Sequence, residues 1–140
     1  MTNRSLAVKT ETLKETFQLL PDGVERLRYL ITLGRQYPVM EQQHRVESNL
    51  LSGCISQLWF WPVLRDGTCH FQMGADAMIS KGLAALLCSF YTDATPAEII
   101  VTEPDFLTDC GLAGHISASR QTGLSSLRRS IRYFALQQLS

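Results

Sequence analysis

An Asp66-Gly67 pair between two runs of bulky residues is the feature that most limits how this chain folds. Asp-Gly favours the positive φ angles of a two-residue β-turn, so it predicts a tight hairpin. The run before it, residues 57–61, is rich in aromatic side chains, and the run after it, residues 68–73, alternates between apolar and polar. Pro62 cannot donate to a ladder and predicts an edge position or a bulge. The sequence therefore predicts a small antiparallel sheet.

Helical periodicity appears on both sides of this hairpin. The predicted helices cover Thr10–Leu20, Asp22–Gly34, a stretch after Asp76, a segment beginning at Thr95, Pro104–Cys110 and Ser119–Gln138. Gly34 is expected to stop the second helix, and Thr95-Pro96-Ala97-Glu98 combines a cap, a proline at the first helical position and a capping-box glutamate. Residues 1–9 are expected to be a loose leader. We therefore predict one α+β domain over residues 1–140.

The composition excludes several classes of function. The chain has 13 Lys and Arg against 13 Asp and Glu, so no net field favours nucleic acid or an anionic membrane. The N-terminus lacks the apolar stretch of a signal peptide, and no apolar run has the ~20 residues that a membrane span needs. We expect a cytoplasmic protein whose four cysteines are reduced thiols.

Cys54 is the cysteine with the most suggestive position. It follows Gly53 and precedes the first predicted strand, which indicates a loop that a partner can reach. A reactive thiol needs such access because the thiolate must meet another sulfur. A small buried side chain is the alternative that the residues leave open. Cys69 and Cys88 lie in apolar patterns and are expected to be structural, and Cys110 lies at a predicted helix end.

Metal and hydrolase chemistry find little support. The chain has no Cys-x-x-Cys pair, and neighbours such as Cys69 and His70 point to opposite faces of a strand. Each of the three histidines could approach Cys54 in space, but no hydrolase signature surrounds that cysteine. We therefore predict no metal site.

Two further groups of residues are expected to be structural. The arginines of the last predicted helix are interpreted as a solvated helix surface, and they are Arg120, Arg128, Arg129 and Arg132. Trp59 and Trp61 point to the same side of one strand, which is more typical of sheet packing than of a stacking platform.

Five separate blocks of the sequence, in order, resemble the SufE family. The stretch around the cysteine resembles the Gly-Cys-x-Ser-Gln-Val-Trp signature of that family. The blocks are Tyr29–Arg35, Gly53–Trp59, Gly74–Ala77, Lys81–Leu86 and Gly111–Leu124. They spread over roughly residues 10–138.

The resemblance implies a fold similar to that of the iron–sulfur scaffold proteins, with a sheet of about three strands packed against helices. It implies that Cys54 accepts sulfane sulfur from a cysteine desulfurase, whose activity the chain stimulates, and passes it towards an iron–sulfur scaffold. Pyridoxal phosphate would belong to the desulfurase, so this chain would carry no cofactor of its own. A homodimer is compatible with this interpretation.

The family pattern also suggests residues that support Cys54. These residues either match conserved positions of the family or carry a group that could favour the thiolate. They are Gly53, Ser56, Gln57, His115 and Arg120. Ile55 stands where the family usually has Gln or Glu, which makes the edge of the site more apolar. Three alternatives remain at this stage: a cluster scaffold, which needs three converging ligands, a thiol oxidoreductase, which needs a resolving cysteine, and a pure adaptor.

Overall fold

The predicted hairpin is present in the computed structural model of the chain, which describes residues 5–51, 57–109, 112 and 116–140. Strand β1 (Leu58–Arg65) and strand β2 (Thr68–Ala75) pair antiparallel, from Leu58 opposite Ala75 to Arg65 opposite Thr68. Asp66 has φ 51° and Gly67 has φ 82°, which are the positive values that a two-residue turn of this hand requires. The local sequence therefore sets the register of the sheet.

The described residues form two strands rather than the three or so that were expected. A single antiparallel bridge between Leu50 and Trp59 takes the place of a third strand. The backbone N–H of Leu51 donates to the carbonyl of Leu58 (2.9 Å), on the edge of β1 away from β2. Backbone N–H groups alternate between the two edges of a strand, so the nitrogen of Pro62 also faces the edge away from β2. The lack of an N–H at Pro62 therefore removes no hydrogen bond to β2.

Six α-helices of the described chain surround this hairpin. They are α1 (Leu6–Gln18), α2 (Gly23–Gln36), α3 (Met78–Tyr91), α4 (Pro96–Val101), α5 (Phe106–Asp109) and α6 (Ala118–Gln138). The capping box predicted at Thr95 is confirmed, since its hydroxyl accepts from the N–H of Glu98 and its own N–H donates to the Glu98 carboxylate. None of the described helices is long and apolar enough to cross a bilayer.

The leader predicted over residues 1–9 is too long. Helix α1 begins at Leu6, four residues before the predicted start, and Ser5 caps it by accepting from the N–H of Val8 (3.2 Å). Leu6 is buried in the core. Lys9 reaches the carboxyl end of α3, where its ammonium donates to three carbonyls, those of Ser89, Phe90 and Thr92. These long-range contacts order a segment that local sequence left without a periodic pattern.

The core lies between the inner face of the hairpin and α3. Side chains of both strands and α3 that are almost fully buried include Phe60, Cys69, Met73, Leu83, Leu86, Leu87 and Phe90. Helix α2 crosses α3 where Gly34 and Gly82 meet. Gly34 was expected to end α2 but lies inside it, because its role is close helix packing rather than termination. A Cβ on Gly82 would overlap the carbonyl oxygen of Leu30.

The outer face of the hairpin is covered by residues 38–51, which we call the cover segment. The imidazole of His44 stacks on Trp61 with 4.3 Å between ring centroids, and the guanidinium of Arg45 lies 4.3 Å from the Trp59 ring centroid. The expectation that both tryptophans serve sheet packing is confirmed. The cover segment leads directly into the residues that precede Cys54.

Two arginines of α6 hold the α4 region rather than facing water alone. Arg128 forms an ion pair with Glu103, and Arg132 Nη1 donates to the carbonyl of Ile100 (2.7 Å). Both side chains are exposed, as the interpretation of a solvated helix surface predicted. Their contacts with the α4 region were not predicted, because the partners lie 25 and 32 residues away in sequence.

We expect Gly82→Ala to destabilise the protein by about 3 kcal/mol, because the new methyl group must displace the backbone of α2 and any gain in helix propensity is smaller. Gly74→Ala is the control, since its Cβ would meet only ordinary contacts of 3.5 to 3.7 Å with Met40 and Trp59. Urea unfolding of both variants measures the difference. Equal free energies of unfolding would contradict the proposed α2–α3 contact.

Candidate functional site

Most of the predicted site residues lie outside the described part of the chain. These are Gly53, Cys54, Ser56 and His115. Gln57 and Arg120 are described, as are the residues that flank both segments. The described residues around these positions define the candidate site.

The two ends of the cysteine-bearing segment are held against each other. Leu51 and Leu58 are joined by the backbone hydrogen bond described above, and the Leu50–Trp59 bridge continues this pairing by one residue. Both anchors belong to β1 or to its edge, so the hairpin fixes them. Leu51 and Leu58, the described residues on either side of this stretch, therefore lie side by side.

Asp76 provides a second anchor on the carboxyl-terminal side. The backbone N–H of Gln57 donates to Asp76 Oδ1 (3.1 Å), and the N–H of Asp76 donates to the carbonyl of Gln57 (3.3 Å). Asp76 follows β2 and precedes α3, so it ties the exposed Gln57 to the junction of two buried elements. The sequence placed Asp76 in a family-like block but gave no reason to assign it this contact.

A cavity of about 220 Å³ opens beside these anchors, between the start of β1, α3 and α6. Its apolar wall includes Leu58, Leu83 and Leu127, and its polar residues are Ser80, Ser117, Ser119 and Arg120. The cavity adjoins both undescribed segments in sequence, because Leu58 follows residues 52–57 and Ser117 closely follows residues 113–115. The structure thus brings the flanks of the Cys54 and His115 segments to one cavity.

Arg120 is the charged group of this cavity wall. Ser117 caps α6 by accepting from the backbone N–H of Arg120 (3.3 Å), which places Arg120 in the first turn of the helix. Its side chain is exposed and contacts no acidic group within the described chain. A guanidinium held here would favour an anion, such as a thiolate, brought near it.

The two described cysteines are unsuited to sulfur chemistry. Cys69 and Cys88 both have 0% exposure, as their apolar sequence patterns predicted. Burial raises the pKa of the Cys69 thiol to about 11 and that of the Cys88 thiol to about 12. Both therefore remain protonated and enclosed near neutral pH. Cys110 lies outside the described residues.

The described histidines are engaged in structural contacts. His70 contacts the hydroxyl of Thr68 through Nε2 (3.0 Å) and the carboxylate of Asp93 through Nδ1 (3.5 Å), and His44 is stacked on Trp61. Within the described ranges, no three His, Cys, Asp or Glu side chains converge on a point that would hold a metal ion. His115 lies outside those ranges.

A comparison with solved structures identifies the class of fold. The structure matches the solution structure of a hypothetical protein from Thermus thermophilus with a TM-score of 0.77, over 94% of this chain and 96% of the other, at 19% identity. The arrangement of a hairpin and helices is therefore that of a known class of small α+β domain, and the predicted fold class is confirmed.

Sequence comparisons identify the family. The family model of the SufE Fe-S metabolism associated domain matches residues 11–135. An uncharacterized SufE-like protein of Synechocystis is 30% identical over 136 residues, 97% of this chain and 86% of that protein. The sulfur acceptor protein CsdE of Escherichia coli is 33% identical over 126 residues, 89% of this chain and 86% of CsdE. The chain belongs to the SufE family.

We expect iodoacetamide at about pH 8 to leave Cys69 and Cys88 unmodified in the native protein, because their raised pKa values and burial suppress the reactive thiolate. Both residues should be labelled readily at the same pH once urea has unfolded the protein, because the thiols are then exposed and no longer desolvated. Peptide mass mapping, with urea-unfolded protein as the control, measures both effects. Rapid labelling of either residue in the native protein near pH 8 would show that its burial is wrong.

We expect Asp76→Ala to speed hydrogen exchange of the Gln57 amide by about tenfold, because the charged acceptor of that N–H is lost. Asp76→Asn keeps an oxygen acceptor and should restore much of the protection. Exchange followed by NMR reports this one amide, and the Val63 amide in the same hairpin is an internal reference. Unchanged exchange in Asp76→Ala would exclude the anchor.

Proposed function

We propose that this protein is a sulfur acceptor, in which Cys54 takes a sulfur atom from the persulfide of a cysteine desulfurase. The observation that carries the proposal is the anchoring of Leu51 and Gln57, the described residues on either side of residues 52–56, near the cavity that Arg120 lines. Covalent connectivity alone keeps Cys54 within three residues of Leu51 and four of Leu58. The similarity to CsdE, a sulfur acceptor protein, supports the same role.

The transfer would proceed as thiol–persulfide exchange. The Cys54 thiolate attacks the outer sulfur of the donor persulfide, a new S–S bond forms, and the donor's S–S bond breaks to release its cysteine thiolate. Cys54 then carries a persulfide. The electrons balance without an added oxidant or reductant, because one sulfane sulfur changes its thiol partner.

Thiolate formation would limit the rate of this step. A cysteine with an ordinary pKa near 8.5 is only a few per cent ionised at pH 7. The guanidinium of Arg120 has no acidic partner in the described chain, lies on the cavity beside these anchors and would favour the anionic sulfur if the two approach. His115 is a second basic group that we propose for this role on sequence grounds, together with Ser56 and Gln57 as residues that shape the segment.

The partners follow from this chemistry. The donor is a desulfurase that carries pyridoxal phosphate, and its turnover would rise as this chain removes its persulfide sulfur. The recipient is a scaffold of iron–sulfur cluster assembly. We place the reaction in the cytoplasm, where thiols stay reduced.

No observation on the described residues favours the other functions. A thiol oxidoreductase needs an accessible resolving thiol, and both described cysteines are fully buried. A cluster scaffold needs three converging ligands, and the described ranges contain no such group. A pure adaptor would not require Cys54.

We expect incubation with a cysteine desulfurase, cysteine and pyridoxal phosphate to add the mass of one sulfur atom, about 32 Da, to Cys54. Cys54→Ser should abolish the adduct, and Cys110→Ser is the matched control that should retain it. Mass spectrometry of intact protein and of its peptides, without reductant, measures the product. Full sulfuration of Cys54→Ser would reject the proposed function.

A further inference from the structure

A second cavity lies beside the candidate site, between β1 and the later part of α6. Its volume is about 430 Å³, and its lining residues include Phe60, Pro62, Arg129, Ser130, Tyr133 and Phe134. It is more open than the first cavity, so we call it the β1–α6 groove. Neither the fold nor the proposed chemistry of Cys54 accounts for it.

The groove continues the boundary between β1 and α6 along which the first cavity lies. Leu58 lines the first cavity, and Phe60 and Pro62, which project from the same face of β1, line the groove. On α6 the first cavity extends as far as Leu127, and the groove begins at Ser126. A segment lying in the groove would therefore point towards the anchored ends of the Cys54 segment.

The charge of the groove is positive. Helix α6 contains four arginines and no Asp or Glu. Arg128 is neutralised by Glu103, whereas Arg129 is exposed, lines the groove and has no ion-pair partner within the described chain. None of the described residues that line the groove is acidic. A carboxylate is the group that this wall would bind best, since a guanidinium can donate two parallel hydrogen bonds to its oxygens.

The remaining lining is typical of a protein-binding surface. Tyr133 is 64% exposed although it is a large aromatic side chain, and Phe134 and Phe60 supply apolar surface beside it. Tyrosine and arginine are the residues most often found at the energetic centres of interfaces. The groove therefore combines an exposed aromatic side chain with a cation that has no ion-pair partner among the described residues.

We propose that the β1–α6 groove binds an acidic segment of the sulfur-donor protein, with a carboxylate on Arg129 and an apolar side chain against Tyr133. This inference rests on the proposed function and adds a docking surface to it. A positive groove would also steer an acidic donor towards Cys54. A second copy of this chain fits poorly, because facing α6 helices would bring arginines together without a carboxylate between them.

The test measures Cys54 sulfuration as a function of the concentration of a purified cysteine desulfurase. We expect Arg129→Glu to raise the desulfurase concentration needed for half-maximal loading by about tenfold, because it replaces attraction by repulsion. Tyr133→Ala should raise it severalfold through a change that leaves the charge intact. Arg28→Glu is the control with the same charge change on α2, and it should load like wild type because Arg28 lines neither cavity.

Salt and self-association complete the test. The difference between Arg129→Glu and wild type should shrink as salt rises, because exposed charges are then screened. If Arg129→Glu is loaded like wild type, or if it lowers only the maximal loading rate, the docking surface is overturned. The acceptor function stays intact in either case. A defect of Arg129→Glu that appears only when Cys54 passes its sulfur to a recipient would also overturn the docking surface. So would self-association of the wild type that sedimentation detects and that Arg129→Glu abolishes. No loading of wild type at any donor concentration would overturn the acceptor function and the docking surface with it.

Discussion

The candidate site depends on one constraint, the anchoring of Leu51, Gln57 and Leu58, which flank residues 52–56. The hydrogen bond from Leu51 to Leu58 closes one side, and the paired contacts of Gln57 with Asp76 close the other. These anchors hold only while β1 and β2 keep their register, and the hairpin in turn needs α3 beneath its inner face. The chain therefore supports a short segment with a large buried scaffold, which is the usual relation between loop chemistry and a rigid fold.

The thiols of the chain illustrate a division between packing and chemistry. Cys69 and Cys88 are enclosed among apolar side chains, and burial raises the pKa of both. Cys54 lies in sequence between Leu51 and Gln57, which are anchored, and Leu58 lines a cavity together with Arg120, which has no acidic partner in the described chain. This contrast fits a member of the SufE family. A sulfur acceptor needs one thiol that a donor can reach, and reactive thiols in its core would serve no purpose.

The features that were predicted correctly from the sequence are those that depend on neighbouring residues. The Asp66-Gly67 turn, the Thr95 capping box and the packing role of both tryptophans were all predicted, because turn angles, caps and alternation leave local patterns. The start of α1, the role of Gly34 and the contacts of Arg128 were not, since each depends on a partner distant in sequence. In the site, the family resemblance supplied Cys54 and Arg120, whereas the Asp76 anchor required the structure. The roles of Cys54, Ser56 and His115 stay predictions.

Counting the sulfur that the protein carries is the most direct test of its role. The protein would be incubated with a desulfurase and ³⁵S-labelled cysteine, separated from the donor without reductant, and then treated with dithiothreitol. A sulfur acceptor with one working thiol should retain close to one labelled atom per chain and release it as sulfide on reduction. Absence of bound label, or label that dithiothreitol does not release, would contradict the account.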